Sequence, residues 1–201
     1  MNSSWQVKLG FVIPIIFWLN TLICGFLLVN YSHTSGMVSE LGELHTKTQY
    51  LFTFGMVTIS ILSLIFIFRL LKILQANHLN KIPIYLLFAF TISIFGAGIF
   101  PYPQQLHGIL GRPAIFLIFS PLLAFIFWKP YLSNKSKIFI LLSMTFFALG
   151  FMVFFPNILH GFIGIKQRFF HLGWSIYFVI LSYIFTTMNA RSPVSSTDPK
   201  K

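Results

Sequence analysis

Five stretches of this chain, 9–32, 48–68, 82–106, 113–128 and 138–159, contain no Asp, Glu, Lys, Arg or His, and a sixth, 169–190, contains only His171. A helix of about 20 apolar residues crosses the hydrocarbon of a bilayer, with a usual range of about 17–25. In lipid every backbone N–H and C=O must be satisfied within the protein, which leaves helices or closed barrels, and runs of this length point to helices. The expected fold is therefore all-α: a polytopic, six-transmembrane-helix bundle with short loops. Residues 1–190 form one domain, and the polar, proline-broken tail 191–201 is expected to be disordered.

Composition closes the other routes. Only 8% of the 201 residues are charged, against the roughly 25% with which a soluble domain solvates its surface. A soluble enzyme, a secreted disulfide scaffold and a disordered chain are excluded, and the lone Cys24 cannot form an internal disulfide. Pro83 and Pro113 open spans three and four, where a missing N–H costs nothing. Pro101, Pro130 and Pro156 stop spans three, four and five. The fourth span is the shortest, so Arg112 and Lys129 at its ends are expected to snorkel. The first apolar run exceeds the 7–15 residues of a signal-peptide core, which argues for a retained helix.

Six spans put both termini on one side. Of the 14 Lys and Arg, Lys47, Arg112, Lys166 and Arg168 fall on the opposite side and ten on the terminal side. By the positive-inside rule both termini are cytoplasmic, in the cell (inner) membrane. The +11 net charge then belongs to lipid-facing and snorkelling cations, not to a nucleic-acid footprint. The outer side collects every histidine but His78: His33, His45, His107 and His160, with His171 a turn inside span six. Two of the three acids, Glu40 and Glu43, join them. Ionisable residues crowded at one end of an apolar bundle mark a candidate site.

An internal repeat sharpens this. Phe100-Pro101 is followed by Leu106-His107-Gly108-Ile109-Leu110-Gly111-Arg112, and Phe155-Pro156 by Leu159-His160-Gly161-Phe162-Ile163-Gly164, with Lys166 and Arg168 beyond. By composition a given Leu precedes His-Gly about 1 time in 500, so the two loops read as copies of one unit arranged around the membrane normal. In each copy the glycines are expected to precede a helix N-terminus, where free N–H groups and the helix dipole favour an anion. Arg112 in one copy, and Lys166 with Arg168 in the other, supply charge suited to a phosphate or carboxylate.

The same histidines allow other chemistry. His107, His160 and His171 could supply the three ligands of a zinc site, or act with Glu40 as acid and base. Ser39 and Ser175 are candidate nucleophiles only by proximity to histidine. Along span six, Arg168, His171 and Ser175 form a polar stripe at i, i+3 and i+7. Glu43 and Lys47 would pair at i, i+4 if helical. Thr53, Ser60, Ser63, Gly96 and Gly98 read as helix-packing positions, Asn20 as a bond to another helix, and Trp5, Tyr31, Tyr50, Tyr102, Trp128 and Tyr131 as interfacial aromatics.

Val38-Ser39-Glu40-Leu41-Gly42 after the first span resembles the Ser-Glu-Leu-Gly signature of the six-helix family catalogued as domain of unknown function 998. Gly98-Ile99-Phe100-Pro101, followed by His107, resembles that family as well. The likeness in layout covers roughly residues 9–188. It implies a prokaryotic multi-pass membrane protein, with Ser39, Glu40, Leu41, Gly42, Phe100, Pro101 and His107 as family-type positions, and it implies no activity. Three functions follow as expectations. The first is binding or transport of an anionic lipid head group or small anion at the outer face, through Glu40, His107, Arg112, His160, Lys166, Arg168 and His171. The second is a membrane-embedded lipid hydrolase or transferase, and the third a structural or assembly subunit.

Overall fold

The structure, a computed structural model, describes residues 4–191; the tail beyond lies outside the described residues. Among the described residues six helical segments are long and apolar enough to cross a membrane: Trp5–Leu27, Gln49–Ala76, Ile82–Ile99, Gln105–Tyr131, Asn134–Phe154 and Ile163–Met188. The chain is a multi-pass, all-helical membrane bundle. Its helices are α1 (Ser4–Leu27), α2 (Gln49–Ala76), α3 (Ile82–Tyr85), α4 (Leu87–Ile99), α5 (Gln105–Gly111), α6 (Phe119–Trp128), α7 (Asn134–Gly150) and α8 (Ile163–Arg191), with 3-10 turns at Val38–Gly42, Arg112–Ile118, Lys129–Tyr131 and Phe151–Phe154.

The last helix is the hub. Trp174, Tyr177, Phe178, Leu181 and Phe185 of α8 are fully buried, and α8 packs against α1, α2 and α7. Lipid supplies no hydrophobic force between helices, so close approach and interhelical hydrogen bonds must hold them. Gly10 of α1 abuts Ser182 and the Phe178 carbonyl of α8, and Gly150 of α7 lies against the backbone of Phe170. Hydroxyls reach across to neighbouring carbonyls. Thr53 Oγ1 donates to Gly98 O at 2.9 Å and Ser60 Oγ to Thr91 O at 3.1 Å, tying α2 to α4. Ser143 Oγ donates to Gly173 O at 2.7 Å, tying α7 to α8. Asn20 donates from α1 to Phe52 O on α2.

Two elements differ from what the charge pattern predicts. The fourth span begins at Gln105, not after Arg112, so span three ends at Ile99 and residues 100–104 form the connection. Leu106, Ile109 and Leu110 carry helical spacing, and Leu110 packs on Gly96 of α4, so the segment before Arg112 continues the apolar helix. Arg112 therefore does not open the span: it lies seven residues inside a 27-residue segment that begins at Gln105. Trp128 ends α6 and faces the protein rather than lipid. It is 2% exposed, and its indole N–H donates to Asn80 O at 2.9 Å, closing the α2–α3 connection.

Candidate functional site

One end of the bundle carries the long α1–α2 connection and both Phe-Pro loops. The Ser-Glu-Leu-Gly segment is a 3-10 turn whose Val38, Leu41 and Gly42 are buried. Gly42 lies against the Phe52 ring, which leaves no room for a Cβ. The Val38 N–H donates to Gln167 Oε1 at 2.6 Å, Leu44 N–H to Tyr102 O at 2.9 Å, and Thr48 Oγ1 to Leu41 O at 2.7 Å. The turn is thereby held as a roof over the helices below.

Beneath that roof is a cavity of about 330 Å³, lined by residues of α1, α2, α4, α5, α7 and α8 together with the Val38–Gly42, Arg112–Ile118 and Phe151–Phe154 turns. Its wall is mostly apolar, including Phe17, Phe52, Met56, Phe90, Phe151 and Trp174. The polar side chains in it are Ser39, Ser93, His107, Arg112, Gln167 and His171. The helix α5 and the Arg112–Ile118 turn pack on α4, whereas the Phe151–Phe154 turn packs on α7 and α8. The cavity runs between these two groups and reaches the surface where Gly108, Arg112 and Phe154 are exposed.

The two sequence repeats flank this cavity unequally. Their helix endings are alike: Phe100 has φ −104 and ψ 91, and Phe155 has φ −114 and ψ 90. Beyond the prolines they diverge. In the first copy Gly108 and Gly111 lie within α5, a correction to the expectation that they precede a helix start. His107, Gly108, Gly111 and Arg112 all line the cavity. His107 Nδ1 lies 2.9 Å from Phe100 O and 3.1 Å from Ala97 O. Both partners are acceptors only, so Nδ1 carries the proton and Nε2 is an acceptor in the neutral ring. In the second copy the motif is an exposed turn, with Leu159 at φ 48 and Gly161 at φ 79. His160 lies on that turn and does not line the cavity.

The cations of the second copy are spent inside the chain. Lys166 is buried and donates from Nζ to Phe155 O at 3.0 Å. Arg168 holds the α1–α2 loop: Nη1 donates to Gly36 O and Gly164 O, both at 3.0 Å, and Nη2 to the Tyr31 hydroxyl at 2.7 Å and His33 Nδ1 at 2.9 Å. The start of α8 is occupied by the same loop, since Ile165 N–H donates to Thr34 O at 3.1 Å. Glu40 and Glu43 line a separate polar cleft in that loop with Tyr31, Ser32 and Thr46. Residues 43–48 are turns, so Glu43 and Lys47 do not share a helix face.

His33 accepts from a guanidinium, which is always a donor, so its Nδ1 must be unprotonated. Burial, and next the positive charge of Arg168, push its pKa below the ordinary 6.5. The unfolded chain then binds more protons than the folded one between the two values. The contribution of this contact is complete above pH 6.5 and is lost as pH falls through the lowered value. Thermal unfolding in detergent at stepped pH should show stability declining below pH 6.5, with the slope reduced in His33→Gln. An unchanged slope in that variant would remove His33 from the effect. Tyr31, raised mainly by burial despite the neighbouring guanidinium, stays a neutral hydroxyl across that range.

His171 stands on the cavity wall, 8% exposed, against Phe17 at a ring separation of 4.6 Å. The indole N–H of Trp174 donates to its Nδ1 at 2.9 Å, and its Nε2 has no partner among the described residues. Ser175, the third member of the polar stripe, turns away: it donates to His171 O and accepts from Trp18 of α1 at 3.1 Å. Among the described residues no three His, Cys, Asp or Glu side chains come together as a metal site. His107 and His171 line one cavity while His160 stands apart. Ser93, Gln167 and Trp174 are cavity residues that the sequence reading missed. The i, i+3 spacing of His171 and Trp174 was the signal available for one of them.

A family model described as a protein of unknown function (DUF998) matches residues 11–183. The chain belongs to that family. The match runs from within α1 into α8, and so takes in the four middle spans, most of the first and last, the roof turn and the cavity. No curated protein and no solved structure matches the chain. Within this DUF998 chain the Ser-Glu-Leu-Gly turn and the first Phe-Pro repeat meet at the cavity, through Ser39 above and His107 beside it.

Proposed function

We propose that this membrane protein binds, and through a lateral opening exchanges, an anionic amphiphile whose chain lies in the cavity and whose head group meets Arg112. The carrying observation is the pairing of an apolar cavity of about 330 Å³ with an exposed guanidinium on its wall. That volume falls in the ligand-sized range of about 300–1,000 Å³, and sites of this kind pair apolar walls with a few placed polar groups. Lys166 and Arg168 satisfy backbone carbonyls and position the loop, which leaves Arg112 as the head-group contact, with His107 beside it. The distribution of cations argues for this end being the outer face of the cytoplasmic membrane.

Native mass spectrometry from mild detergent tests the reading, with lysophosphatidate as probe. Losing one charge-assisted hydrogen bond costs about 1.5–3 kcal/mol, roughly 10–100-fold in affinity. Arg112→Ala should therefore lower retention of the anionic lipid by at least about tenfold while leaving the protein monodisperse. Equal retention by wild type and Arg112→Ala would overturn the assignment.

A further inference from the structure

Most of the cavity wall could be satisfied by a plain hydrocarbon chain, but two groups on it could not. His171 receives the Trp174 indole N–H on Nδ1. An indole nitrogen only donates, so Nδ1 holds the lone pair and the imidazole proton resides on Nε2. That Nε2–H is a buried donor without a partner among the described residues. Ser93 of α4 is 2% exposed and also lines the cavity. A helical serine commonly returns its hydroxyl to the carbonyl one turn back, as Thr91 does to Leu87 O at 3.0 Å two residues earlier. Ser93 Oγ has no partner among the described residues. Buried polar groups are nearly always hydrogen-bonded, and those that are not call for an explanation.

From these two orphaned groups we infer that the ligand carries a carbonyl acceptor, an acyl ester or amide, which His171 Nε2–H and the Ser93 hydroxyl recognise within the apolar cavity. The inference rests on the amphiphile reading above and narrows it. The head group at Arg112 supplies retention, and the carbonyl at His171 and Ser93 selects acylated amphiphiles over alkyl ones. Trp174 is the positioning residue, since its N–H sets the tautomer that makes His171 a donor on the other nitrogen. A site built to hydrogen-bond its ligand discriminates strongly against an analogue lacking the group, because its own polar atoms are then left unpaired.

The test compares two probes with the same phosphate head and chain length, 1-acyl lysophosphatidate and its 1-O-alkyl ether, which lacks the carbonyl. They compete for the full chain in mild detergent, read by native mass spectrometry. Wild type should retain the acyl form about tenfold over the ether, the worth of one buried hydrogen bond. Ser93→Ala and His171→Phe should each bring the ratio toward unity, while His171→Gln, which keeps an N–H donor, should restore part of it. If His171→Phe fails to accumulate, Ser93→Ala, which removes one atom, decides alone. Equal retention of the two probes by wild type would overturn this inference and leave the amphiphile reading standing. Retention of neither would overturn both.

Discussion

Replacing Arg168 with Ala should lower stability by about 3 kcal/mol and free the α1–α2 loop. One guanidinium there donates to Gly36 O, Gly164 O, the Tyr31 hydroxyl and His33 Nδ1. Each hydrogen bond to a charged group is worth about 1.5–3 kcal/mol. The four share one donor and are not additive, so the loss is well below their sum. The side chain cannot be replaced conservatively. A lysine offers one nitrogen where the guanidinium presents a planar fork of five N–H donors, so Arg168→Lys should recover little. His33 would lose its anchor, although Gly25 of α1 is bare enough to seat its ring. Limited proteolysis should report the release, with cleavage within 31–37 becoming fast in Arg168→Ala and staying slow in wild type. A loop that remains protected in the variant would show that its remaining bonds, Ile165–Thr34 and Val38–Gln167 among them, suffice to hold it.

Gly150→Leu should be as damaging, by a different mechanism. A Cβ at Gly150 would lie 2.7 Å from the Cα, Cβ and N of Phe170. These belong to the backbone of α8 and its first side-chain atom, so rotamer changes cannot relieve the contact. The helices α7 and α8 must separate. Separation would stretch the Ser143–Gly173 bond and lift Phe147 from Gly173, where the backbones also approach closely. Overpacking of this kind costs about 1–3 kcal/mol, and a large side chain against backbone belongs at the upper end. For a chain of this size that is a fall of about 10 °C in Tm. Gly150 also lines the cavity, so ligand retention should fall with stability. An unchanged Tm in detergent would mean that α7 and α8 do not approach closely at this glycine.

Six spans, an all-helical bundle and membership of the family were legible because they rest on properties of the covalent chain. The hydrocarbon thickness sets a minimum apolar length, and lipid forbids unsatisfied backbone. Runs such as 48–68 meet both conditions wherever the rest of the chain lies. The two Phe-Pro endings were equally local: proline stops the helix in each copy, and both phenylalanines take nearly the same backbone angles.

What the repeated loops do was not legible. Both copies carry His-Gly and cations, yet His107 and Arg112 reach the cavity, whereas His160 lies on an exposed turn and Lys166 and Arg168 are engaged by acceptors of the chain itself. A positive charge at a helix start serves a ligand or its own loop depending on which oxygen arrives first. Here the α1–α2 connection arrives from more than 130 residues away in sequence. The roles proposed for Ser93 and His171 follow from the same cause. A hydroxyl or imidazole is ordinary in sequence, and it becomes a recognition group only when packing removes every other partner. The number and helical character of the spans were thus determined by the chain and its solvent, while which polar atoms were left unsatisfied on the cavity wall was decided only by the packed bundle.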